Sequence, residues 1–396
     1  MLRGRGILCF APDPWEALWR NRHQLLSVLA EQNQVIYVEP RPYLRSVVQQ
    51  VRSGQLFHGR RAPRLVTVQA GLHVYRPPLY APLTGREPLR LLTDALRKAS
   101  LCRAMRQVGM DRPILWLFRP DMDDVPGRYG ECLLIYHIVD EYTGYADVDP
   151  ARVDEIRRRE RALIARADLV LVTSRGLLES KGGTNPNTHW VPNGVDYERF
   201  AAAAREQVDP PELLGVPRPR IGYVGALNDK IDTGLLLQVA DAYPQAALVL
   251  VGPVQMLAAD ARREMDALRE RPNVRVVGQV PGQRVAEFTA ACDVGLLPYR
   301  QNAWTQNIHP LKMYEYLACG LPVVATDIPA VREEQAVIRI VGDGAAFVDA
   351  IGAALAEQDE ALRTERQARA ARNTWRDRVE RISALIEATL RKRGVA

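Results

Sequence analysis

Two kinds of pattern alternate along the 396 residues. Short continuous apolar runs recur as GILCFA, QVIYVEP, LVTVQ, LHVYRP, ILWLFR, CLLIYHIVD and LVLVTS in the first half, and as RIGYVGA, ALVLVGP, VRVVGQV, VGLLPY and PVVATD in the second. Stretches with helical spacing separate them, residues 15–32 and 151–166 among them. Strands that are apolar throughout are buried on both faces, and strands that alternate with helices form parallel sheets. The chain therefore reads as α/β, and its two series of runs predict two Rossmann-like, doubly wound domains. Its length agrees, being too great for one ordinary core. The break falls in residues 191–220, where VPNGVDYERF leads into the Ala- and Pro-rich AAAAREQVDPPELLGVPRPR. Predicted domains are residues 1–200 and 201–373, and a helical stretch at 361–393 has no strand after it.

Open parallel sheets bind ligands beyond the carboxyl ends of their strands, so two facing sheets would share a cleft. The most informative segment there is residues 306–327, QNIHPLKMYEYLACGLPVVATD, a polar loop, an amphipathic helix and a buried strand in succession. Residues 307–311, from Asn307 to Leu311, can present backbone N–H groups at a helix N-terminus, which favours an anion such as a diphosphate. Lys312 adds a positive charge. Glu315 lies on nearly the same helix face and can accept two hydrogen bonds from vicinal hydroxyls. Gly320 ends the helix and Pro322 opens the strand. Phosphate and ribose recognition together point to a nucleotide-diphosphate site.

Charge sharpens the picture of the first domain. Residues 1–110 hold 17 Lys or Arg against 6 Asp or Glu, a net of +11, so the remainder carries −5 of the chain's +6. The excess is mostly arginine, spread as Arg41, Arg45, Arg52, Arg60, Arg61, Arg64 and Arg76. Such a surface suits acidic phospholipid or a lipid-diphosphate acceptor better than nucleic acid. The five cysteines, 9, 102, 132, 292 and 319, are odd in number and include no C-x-x-C pair, which predicts reduced core thiols in a cytoplasmic protein. The apolar run at the start is too short for an export signal, and residues 242–259 read as a buried strand with a turn rather than a membrane span.

The 306–327 segment resembles the donor-binding motif of the GT-B glycosyltransferases, specifically the group 1 class grouped with family 4, whose signature is roughly E-x7-E followed by A-x-G-x-PVVA. Glu315 matches the second acidic position, and Ala318, Gly320, Pro322, Val323, Val324 and Ala325 follow in register. The first acidic position falls on Asn307, where the family's Glu contacts the transferred sugar. VPNGVDYERF and IGYVGAL extend the likeness. It implies a GT-B fold with an acceptor-binding first domain, a donor-binding second domain and a terminal helix, about 374–396, that crosses back onto the first. It also implies a nucleotide-diphosphate sugar as donor, a glycan or lipid-linked acceptor, no bound metal or other cofactor, and a role in bacterial envelope glycan synthesis at the inner face of the membrane.

Other candidates sit at strand ends. Gly225 closes IGYVG, and Lys230 follows where the family carries a basic residue for the donor phosphates. YHIVDE brings His137, Asp140 and Glu141 to the end of a first-domain strand; Asp140 is the candidate base and His137 a candidate hydrogen-bond donor. Trp15 and Arg22 are the candidate acceptor-side residues, on a helix whose Leu25, Leu26 and Leu29 form a core face. Asp121, Asp123 and Asp124 match D-x-D but read as a solvated loop. A non-catalytic GT-B scaffold remains a second reading. A nicotinamide-dependent oxidoreductase is a weaker one, since no G-x-G-x-x-G follows a strand and opens a helix.

Overall fold

The computed structural model describes residues 1–52, 63–144, 148–255, 258–342 and 344–395; Arg60 and Arg61 lie outside them. The first sheet contains β1 (Gly6–Phe10), β2 (Gln34–Val38), β3 (Leu65–Gln69), β4 (Leu72–Tyr75), β5 (Ile114–Leu117), β6 (Leu133–Ile138), β7 (Leu169–Val172) and β8 (Thr188–Trp190), in the order β3-β4-β2-β1-β5-β6-β7-β8. The second contains β9 (Arg220–Val224), β10 (Ala247–Val251), β11 (Val274–Gly278), β12 (Val294–Leu297), β13 (Val323–Thr326) and β14 (Arg339–Val341), in the order β11-β10-β9-β12-β13-β14. Every pairing is parallel except β3 with β4, which is antiparallel. The expected all-parallel first sheet thus carries a hairpin at its edge. The short edge strands β8 and β14 were not among the predicted runs, because each is three residues long and only half-buried.

Alternate residues of one strand enter different cores. Ile7 and Cys9 of β1 face one apolar cluster with the helix Asn21–Ala30, while Leu8 and Phe10 face another with the helix Leu89–Gln107. Four of the five cysteines are buried, and all five are free thiols. The helix expected over residues 15–32 begins only at Asn21, since the Trp15 N–H is taken by Glu39 Oε1 (3.0 Å) and the Asp13 carbonyl by the Tyr37 hydroxyl (2.8 Å).

The stretch 361–393 divides into Glu360–Ala371, which packs on the second domain, and Trp375–Lys392, whose Trp375, Val379, Ile382 and Ile386 join the first-domain core. Thr374 and Asp377 form a capping box that stops one helix from running into the other. The chain crosses between domains twice, and the crossings run side by side: Val195 N–H donates to Asn373 O (3.0 Å), and Trp375 N–H donates to Val195 O (3.1 Å). Val191 belongs to the first core and Val195 to the second, as does Phe200, so the first crossing precedes the expected boundary at residue 200.

Gly194 makes this contact: a Cβ there would stand 2.8 Å from the Thr374 carbonyl and the Trp375 nitrogen, all backbone atoms that cannot step aside. Gly194→Ala is expected to cost about 1–3 kcal/mol through overpacking, read as a lower thermal midpoint. Gly183→Ala, with nothing within 4 Å of the added carbon, should leave the midpoint near the parent's. Equal midpoints for the two variants would show that the crossing accommodates the methyl group.

Candidate active site

Strand order reverses between β1 and β5 in one sheet and between β9 and β12 in the other, and the carboxyl ends at both reversals open into one cavity of about 370 Å³. Its walls come from both domains: Asp13, Trp19 and Asp140 on one side, Gly225, Lys312 and Glu315 on the other. Six Lys or Arg side chains line it (Arg20, Arg22, Arg119, Arg199, Lys230, Lys312) against three carboxylates (Asp13, Asp140, Glu315). The surplus suits a polyanionic ligand.

On the second-domain side Gly225 directly follows β9, with a φ of +156° that few L-residues adopt. A Cβ there would fall on the Lys312 side chain, so the missing side chain is what lets the lysine cross the strand end. Lys312 opens the helix Leu311–Ala318, and its ammonium lies 5.4 Å from the Tyr223 ring centroid. Burial lowers its pKa to about 8; Glu315 opposes that shift, while Lys230 and Arg20 add to it. Glu315 is held above the usual carboxylate range by burial, opposed by Lys312 and Arg199. With Leu311 also on the wall, the predicted donor-side residues Gly225, Lys230, Leu311, Lys312 and Glu315 converge on one corner.

Asp140 and Lys230, 90 positions apart and in different domains, meet across the cleft. Lys230 Nζ stands 3.2 Å from Asp140 Oδ2, and the Trp304 indole N–H donates to Asp140 Oδ1 at 3.0 Å. The same ammonium lies 4.4 Å from the Trp304 ring centroid. A carboxylate held between a cation and an indole N–H is oriented toward the cleft, where it can accept a proton from a hydroxyl brought to it.

Other expectations shift. His137 does not line the cavity; it is 1% exposed, stacked 5.1 Å from Phe118, and neither ring nitrogen has a partner among the described residues. Burial drives its pKa down to about 3, leaving a neutral core imidazole. Glu141 is committed to Lys181 at 2.8 Å. Asn307 also lies off the cavity wall, since its carbonyl accepts from Ser174 Oγ (2.7 Å) and its amide donates to Ala303 O (2.9 Å), at the junction of the domains. On the acceptor side, Arg22 lines the cavity and pairs with Asp13, but Trp15 is set behind it, packed on His23 and Tyr37. Trp19 is the indole on the wall, and it touches the second domain where a Cβ at Gly282 would stand 2.9 Å from its ring. Its i+4 spacing from Trp15 was visible in sequence, but which indole reaches the cleft depended on where the helix begins. Arg199, Tyr299 and Trp304 had no such signal. The D-x-D carboxylates go to separate arginines: Asp121 to Arg119 (3.1 Å), Asp123 to Arg159 (2.5 Å) and Asp124 to Arg41 (2.7 Å).

The family described as Glycosyl transferases group 1 matches residues 218–357. A Bacillus subtilis protein assigned to teichuronic acid biosynthesis as a glycosyltransferase, TuaH, is 28% identical over 329 residues, 79% of this chain and 78% of the relative. Among solved structures, sucrose-phosphate synthase from Thermosynechococcus elongatus superposes with a TM-score of 0.70 at 20% identity, covering 98% of this chain and all of that one. Anabaena HepE, solved with UDP and glucose, gives 0.65 at 15% identity over 96% and 99% of the two chains. The matched family segment contains Gly225, Lys230, Lys312 and Glu315, so the corner that the strand ends build lies within the segment similar to group 1, and the chain is a glycosyltransferase with the GT-B fold.

Proposed function

We propose that the enzyme moves a hexosyl group from a nucleotide-diphosphate sugar to a hydroxyl of a bacterial envelope glycan or glycolipid, acting at the inner face of the membrane. One observation carries the reading: a cationic phosphate corner and an oriented carboxylate, from different domains, face a single cavity. In this scheme Glu315 accepts the ribose hydroxyls, and the diphosphate lies against Lys312 and the first turn of the Leu311–Ala318 helix. Lys230 turns from Asp140 toward the diphosphate. The bond from the sugar's anomeric carbon to the diphosphate oxygen breaks, the acceptor oxygen bonds to that carbon, and the hydroxyl proton passes to Asp140. The charge left on the nucleotide diphosphate is offset by the two lysines, a job that requires no metal. Arg22 and Trp19 form the acceptor side. The envelope role draws support from the relative assigned to teichuronic acid biosynthesis and from the basic first domain.

Glu315→Ala is expected to lower nucleotide affinity at least about tenfold, since each charge-assisted hydrogen bond contributes about 1.5–3 kcal/mol. Calorimetry giving the parent's affinity would remove Glu315 from the site. Asp140→Asn keeps the shape and the indole contact but removes the base, so turnover should fall by about a hundredfold or more at little cost in nucleotide affinity. Near-normal turnover in a folded variant would reassign the proton acceptor.

A third expectation concerns pH. With the Lys312 pKa down at about 8, the empty enzyme loses that charge as pH rises through this value, whereas a bound diphosphate raises the pKa and holds the proton. Affinity should therefore decline as pH climbs from about 7 to about 9, with proton uptake on binding near the midpoint. Calorimetry in buffers of different ionisation enthalpy measures that uptake. Lys312→Arg, charged throughout, should abolish it.

A further inference from the structure

Ten of the thirteen large apolar side chains exposed among the described residues lie between Tyr43 and Leu96. Tyr43 immediately precedes the first of two helices and Val68 lies on β3; the other eight belong to those helices or to the loop between β4 and the second. The helix Leu44–Arg52 leaves Val48 and Val51, one turn apart, in solvent. The helix Leu89–Gln107 turns Thr93, Arg97 and Leu101 inward and presents Leu89, Leu92 and Leu96 outward at i, i+3 and i+7; Leu92 is 58% exposed. Tyr80, also 58% exposed, sits on the loop that ties the helices together: Leu44 N–H donates to Leu83 O (3.0 Å), and Arg97 Nη1 donates to the carbonyls of Ala81 and Pro82 (2.8 Å each).

Charge accompanies this apolar face. Residues 41–52 and 86–106 together carry nine Lys or Arg and two Asp or Glu. Exposed leucines and valines among arginines are the composition of helices that lie in the plane of a membrane interface, and no described helix is long and apolar enough to cross one. Position agrees too. β1, β2, β4 and β5 are parallel, so the loops leaving β2 and β4 emerge from the same sheet edge as the loops that wall the catalytic cavity. A symmetric dimer through this face would press two cationic surfaces together, which argues against a second copy as its occupant.

We propose that this face docks on an anionic phospholipid bilayer, with Val48, Val51, Leu92 and Leu96 entering the headgroup boundary and Arg45 and Arg86 meeting lipid phosphates. The proposal rests on the lipid-linked acceptor reading, because it sets the cleft mouth beside the layer that would hold such an acceptor.

Co-sedimentation of the full chain with phosphatidylcholine vesicles, with and without about 30% phosphatidylglycerol, tests it. Binding should be selective for the anionic vesicles and weaken with salt. The double variants Leu92→Glu with Leu96→Glu, and Arg45→Glu with Arg86→Glu, should each lower partitioning by roughly tenfold or more while keeping the parent's thermal midpoint and nucleotide affinity. Equal binding to both vesicle types, indifference to either double variant, or a dimer in sedimentation velocity that the leucine variant dissolves would overturn the proposal. If the enzyme glycosylates a water-soluble acceptor but ignores vesicles, the docking face is wrong and the transferase reading stands. If it binds vesicles as expected but turns over no lipid-linked acceptor, the docking face stands and the envelope reading falls.

Discussion

The pairing of Val195 with Asn373 and Trp375 holds this enzyme together as a two-domain machine. Two backbone hydrogen bonds and one glycine place the outgoing and returning crossings in contact, and every feature of the cleft is built on the spacing they set. If the two strands of chain were separate, each would be a flexible linker and the domains could drift apart. Side by side, the two crossings are tied to each other by backbone hydrogen bonds. Asn193, next to this pair, donates to His309 O at 2.6 Å and so links the crossing directly to the loop before the Lys312 helix.

The cleft is tuned by what is brought near what. Six cationic side chains line one cavity, and the pKa of Lys312 is lowered by burial, to which the neighbouring Lys230 and Arg20 add. Asp140 offsets part of that positive charge by pairing with Lys230. A phosphate entering the cavity would compete for the same lysine. Under the proposed function, donor binding and the availability of Asp140 would be coupled through one ammonium group, an arrangement that needs the two domains close together. The Trp304 indole N–H donates to the other oxygen of the same carboxylate.

Local pattern was informative wherever a residue's role follows from its neighbours in sequence. Glu315, Lys312 and Gly225 were legible because helix spacing, a strand end and a fixed motif place them without reference to the rest of the chain. Asp140 was legible as a strand-end carboxylate. Its partners Lys230 and Trp304, 90 and 164 residues away, were not legible as partners. The same limit explains His137, which shares the strand end with Asp140 yet turns into an aromatic core, and Asn307, which fits a motif position but is used at the domain junction.

Continuous apolar runs determined the two parallel α/β layers, since a strand with no polar face has to be covered on both sides. The cationic corner at the start of the Leu311–Ala318 helix was likewise determined locally, by backbone geometry and residue spacing. Tertiary structure decided the rest: the antiparallel edge hairpin, the split of the last helical stretch at Thr374, the choice of Trp19 over Trp15, and the meeting of Asp140 with Lys230. Each of these depends on contacts between segments far apart in the chain, whose geometry is fixed only when the two crossings close and bring both sheets to one cleft.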